Sequence, residues 1–109
     1  MANPPRQKGT RWETELLDLL RPIFPHVERA PLKGHADQGD FTAVNDWLLE
    51  AKSTGAPHFL EWARGCAKKT AANHKRWAIL WHGDRRHTPT ELAIMPLAVF
   101  LELLAQDDD

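Results

Sequence analysis

Apolar positions along this chain recur in two periods, and the changes of period mark out its elements. Trp12, Leu16, Leu17, Leu19, Leu20 and Phe24 follow the spacing of a helix face. Thr10 is the predicted N-cap, Glu13 three residues on takes the capping-box position, and Pro22 and Pro25 close the helix. Residues 1–8, with Pro4 and Pro5 and no periodicity, read as a loose arm. His26 to Leu32 read as a short strand that runs into a glycine-rich loop. Phe41 to Val44 and Trp47 to Lys52 read as two β-segments joined around Asn45-Asp46. His58 to about His74 reads as a helix weakened by Gly65, and Trp77 to Trp81 as a buried strand. Glu91 to Met95 reads as a last strand, and Pro96 opens an apolar helix that ends in an acidic tail, residues 106–109. The order is α-β-β-β-α-β-β-α, an α/β fold with a mixed β-sheet flanked by helices in a single domain spanning 1–109.

Composition narrows the class. Apolar residues make up 42% of the chain and charged residues 27%, an ordinary globular balance with no run long enough for a membrane span. Met1 to Gly9 lacks the apolar stretch of a signal peptide. Cys66 is the one cysteine, which rules out an intrachain disulfide and a multi-cysteine zinc site, so a cytoplasmic location is expected. The net charge of −1 hides an uneven distribution. Without the acids from Glu102 onward, 14 bases face 11 acids. Arg64, Lys68, Lys69, Lys75 and Arg76 form an acid-free basic stretch, with Arg85 and Arg86 as a second cluster. Such local surfaces suit contact with phosphate whatever the total charge, although a solvated helix face would look the same.

The candidate chemistry lies in Glu13, Asp40, Glu50 and Lys52. Hydrolysis of a phosphodiester needs a sink for charge on the phosphoryl oxygens and an activated water. A hard cation held by carboxylates supplies both. Glu50 and Lys52 lie two apart on a strand and so share a face, while Trp47, Leu49 and Ala51 face the opposite way into the core. Asp40 is conditional: across a strict two-residue hairpin it would pair with Ala51 and point away from Glu50. It joins Glu50 only through an odd loop, a bulge or a position before regular pairing, which Gly39 makes cheap. Taken singly, each residue has a plain structural explanation: Glu13 as a capping-box acid, Asp40 as a turn residue, Glu50 and Lys52 as a solvated strand face. Their joint order on the predicted elements, beside a basic helix, favours chemistry. The histidines, including His82 and His87, lack the spacing and partners of a metal site. Trp47, Trp77 and Trp81 read as core and Cys66 as packing. Trp62 reads as a DNA or dimer contact.

Gly39-Asp40 followed by Glu50-Ala51-Lys52 resembles the PD-(D/E)xK nuclease signature. The opening Lys8-Gly9-Thr10-Arg11-Trp12-Glu13 is similar to the first helix of archaeal-type Holliday junction resolvases. The loop Lys33-Gly34 to Asp40, the Ile79-Leu80-Trp81 strand and the Met95 to Leu101 segment resemble short resolvase-like proteins of bacteriophages. The resemblance implies a restriction-endonuclease-like fold and a homodimer that cuts opposed strands of branched DNA. It implies a divalent metal, Mg²⁺ with Mn²⁺ substituting, held by Asp40, Glu50 and Glu13, with Lys52 acting on the water or the scissile phosphate. Two departures stand out: Gly39 replaces the motif proline, and the glutamine of the following helix is missing, with Lys68 or Lys69 facing the phosphate in its place. Phosphate contacts are expected from Lys8, Arg11, Lys33, Lys68, Lys69, Lys75, Arg76, Arg85 and Arg86. The C-terminal helix, or the helix carrying Trp62, is expected to form the dimer interface. The competing readings are a nuclease of similar fold acting on linear, flapped or nicked DNA, and a catalytically silent DNA-binding module.

Overall fold

The computed structural model describes residues 4–31, 39–71, 75–83 and 91–106, with side chains from residue 11 onward. Its elements run α1 (Pro4–Leu20), β1 (Glu28–Arg29), β2 (Phe41–Thr42), β3 (Trp47–Ser53), α2 (Phe59–Thr70), β4 (Arg76–His82), β5 (Glu91–Ile94) and α3 (Leu97–Gln106). This is the order read from the periodicity. The start of α1 is a correction. The helix begins at Pro4, so residues 4–8 are helical and not a loose arm, and Thr10 lies inside the helix with no N-cap to form. Proline is tolerated in a first helical turn, where its missing N–H has no intrahelical partner in any case.

β3, β4 and β5 form a mixed sheet in which β3 and β4 run parallel and β4 and β5 antiparallel. β1 and β2 form a separate antiparallel pair, with Glu28 opposite Thr42 and Arg29 opposite Phe41. β2 and β3 do not zip into a hairpin around Asn45-Asp46, which is the condition on which Asp40 can join Glu50. The turn is irregular, with Ala43 and Asn45 both at positive φ (60° and 58°). The chain reaches β3 earlier, through a parallel-type bridge between Gly39 and Leu49.

The two faces of the sheet carry two cores. On one face Leu49 and Ala78 join Trp12, Leu16 and Leu17 of α1, together with Val27, Phe41 and Val44. On the other, Leu48 and Ile79 pack under Cys66 of α2, flanked by Trp62, Trp77 and Ile94. Leu48 and Ile79 are fully buried, and each such side chain stabilises the fold by roughly 1.5–3 kcal/mol. Trp12 also donates its indole N–H to the Leu80 carbonyl (2.8 Å), pinning α1 across β4. α3 buries Val99 but exposes Leu97, Phe100, Leu101 and Leu104. No helix among the described residues is long and apolar enough to cross a membrane.

Candidate metal and phosphate site

The site is built on β3, where strand parity puts Leu48, Glu50 and Lys52 on the face covered by α2. Glu50 is one of only two buried polar residues among the described ones. Asp40 reaches it through the irregular approach at Gly39. The Asp40 N–H donates to the Leu49 carbonyl (2.8 Å), and the Asp40 carboxylate accepts the Ala51 N–H through Oδ2 (2.7 Å). One residue thus makes both bonds with β3, its side chain standing in for a ladder carbonyl. Gly39 is required for this: its φ is +75°, and a Cβ there would lie 2.7 Å from the Leu49 carbonyl oxygen.

The result is two carboxylates in contact. Burial, and then the charge of Glu50, push the Asp40 carboxyl up to about 7. The Ala51 N–H opposes this, while Glu13 and a hydrogen bond with Glu50 add to it. Glu13 is therefore close enough to be felt, but its own carboxylate is paired with Arg29 at 2.7 Å. Among the described residues, no three groups of ligating type gather tightly enough to hold an ion. The donor set that does converge, two carboxylates in contact, is the kind that suits a hard divalent cation such as Mg²⁺, which commonly keeps several waters and takes one or two carboxylates.

Two lysines complete the site in different ways. Lys52 lies with its Nζ 5.6 Å from the Trp62 ring centroid, a cation–π contact. No described carboxylate pairs with it. Lys69, from α2, donates through Nζ to Glu50 Oε1. Burial works against its charged form, but the hydrogen bond and charge of Glu50 outweigh that and raise its pKa. Lys69 and Arg29 are what the sequence reading resolved least. Trp62, Cys66 and Lys69 stand at i, i+4 and i+7, so helix phase alone puts Lys69 rather than Lys68 on the inward face. Nothing local points to Arg29.

The remaining candidates divide. Arg11 and Lys68 are exposed and Lys75 half-exposed. Arg76 is paired with Glu102 (2.8 Å). The side chain of Lys8, and Lys33, Arg85, Arg86 and His87, lie outside the described residues. Trp62, read from the sequence as a DNA or dimer contact, is half-buried, packed edge-on to Phe59 and beneath Lys52. Cys66 is packing, as read; burial, and then Glu50, raise its thiol to about 11, which leaves no nucleophilic thiolate at neutral pH. Comparison with family models, curated proteins and solved structures finds no match.

Proposed function

We propose that this chain is a divalent-metal-dependent endodeoxyribonuclease of the PD-(D/E)xK kind with a restriction-endonuclease-like fold. In its most specific form the reading is a homodimer that resolves four-way DNA junctions. The observation that carries it is the convergence of Asp40 and Glu50 on one face of β3, with Lys52 and Lys69 beside them. Asp40 and Glu50 hold the ion, and Glu13 completes its surroundings by charge. When bound, a divalent cation supplies charge neutralisation at the phosphate and an acidified water. The protein's own share is positional. The Ala51 N–H fixes Asp40, Trp62 steadies Lys52, and the Lys52 ammonium offsets charge on the phosphate or orients the water. Arg11, Lys68 and Lys75 add sequence-independent contacts to the DNA backbone. The exposed Leu97, Phe100, Leu101 and Leu104 give α3 an apolar face that a second copy would cover.

The test is incision of a synthetic four-way junction and of matched linear, nicked and flapped duplexes, with Mg²⁺, with Mn²⁺ and with chelator. Paired cuts in the junction, lost in chelator and in Asp40→Asn, are the expected result. Cutting of the linear or flapped substrates alone would move the reading to a nuclease of similar fold and different target. Undiminished cutting by Asp40→Asn would overturn the site. Size measurement at micromolar concentration is expected to give a dimer.

A further inference from the structure

Glu50 and Asp40 form a shielded acidic pair, and burying such a pair favours a counter-ion beside it. α2 supplies that counter-ion. Its inward face brings Lys69 over the strand, and the ammonium is bonded to Glu50 Oε1. The Glu50 side chain is 9% exposed and that of Lys69 36%, so the acid is fixed in the fold while the base has an open route to solvent. Lys52 differs, being seated on an aromatic ring and not on a carboxylate.

On the metal-dependent reading, on which this inference rests, we propose that Lys69 is a stand-in cation. It holds Glu50 while the site is free of metal, and the arriving divalent ion displaces it toward the DNA backbone. The physical reason is competition for one oxygen. Oε1 carries the ammonium, and an ion seated on Glu50 and Asp40 would lie close enough to Lys69 to repel it. The long side chain can swing outward, where the exposed Arg64 and Lys68 already line the outer face of α2. Metal loading would thereby add one phosphate contact to the DNA-binding surface.

The experiment measures Mn²⁺ binding to the full chain by calorimetry for the unmodified protein, Lys69→Met, Lys69→Arg and Asp40→Asn. Removing the competing charge should tighten Mn²⁺ binding about tenfold in Lys69→Met, with Lys69→Arg close to the unmodified protein. Lys69→Gln, which keeps a hydrogen-bond donor for Glu50, replaces Lys69→Met if that variant does not fold. A second readout is the salt dependence of junction binding. With Ca²⁺ the log–log slope should fall by about 0.9 in Lys69→Met, one phosphate contact, and with chelator it should not change. Equal or weaker Mn²⁺ binding by the charge-removed variant overturns the inference and leaves the nuclease reading standing. If the unmodified protein binds Mn²⁺ no better than Asp40→Asn does, the metal reading itself fails, and this inference with it.

Discussion

The two faces of β3 are made from neighbouring residues of one strand, yet they do opposite things. Trp47, Leu49 and Ala51 belong to the apolar core under α1, where the Trp12 indole N–H is met by the Leu80 carbonyl. Leu48, Glu50 and Lys52 meet α2, where apolar packing at Leu48 and Cys66 gives way within one residue pair to a carboxylate held by a lysine. The first face provides stability. The second places charged groups where they are costly without partners, which is how a site prepared for an ionic ligand differs from a core. Alternation in a strand lets both properties sit in one seven-residue segment without compromise.

Substitutions on each face should separate the two roles. The largest effect is expected from Asp40→Asn, with cleavage lower by on the order of 10³-fold in a single-turnover assay. The asparagine can still accept the Ala51 N–H, so far-ultraviolet circular dichroism should be unchanged. Leu49→Ala, one residue from Glu50 but on the other face, should cost about 2–5 kcal/mol in urea unfolding. Cleavage per folded molecule should persist, and losing it outright would mean that the faces are not separable. A smaller effect comes from pH. The Asp40 carboxyl is raised from 3.8 to about 7 in the folded chain, so the protonated form is the one folding favours. Its contribution is fully present below about pH 4 and is lost as pH climbs through about 7. The melting temperature in chelator should therefore fall by several degrees across that window, roughly as the size of the domain dictates, and the decline should be shallower in Asp40→Asn. The smallest effect is expected at Gly65, on the exposed side of α2, where a Cβ meets nothing. Gly65→Ala should stabilise the helix carrying Lys69 by about 0.5–1 kcal/mol in the same unfolding assay.

Much of this was legible in the sequence because periodicity reports burial directly. The eight elements, the opposite facing of Leu49 and Glu50, and the pairing of Glu50 with Lys52 on one side all follow from strand and helix repeats. Asp40 was legible only as a condition. Strand parity alone would have turned it away, and what rescued it was a glycine at positive φ followed by a side chain acting as a backbone acceptor. The start of α1 was misread because prolines mark loops and first helical turns alike. Lys69 could have been singled out from Lys68 by helix phase. The Glu13–Arg29 pair could not, because it joins α1 to β1 across a turn whose path no local pattern specifies.

The double attachment of Asp40 to β3 has a consequence for ligand choice. A carboxylate immobilised by a peptide N–H surrenders its torsional freedom when the chain folds, not when a guest arrives, so capture carries little further entropic penalty. The same stiffness limits how far the oxygens can spread around a guest. A compact ion that tolerates few protein donors should be accommodated more readily than a bulkier one that asks for six to eight.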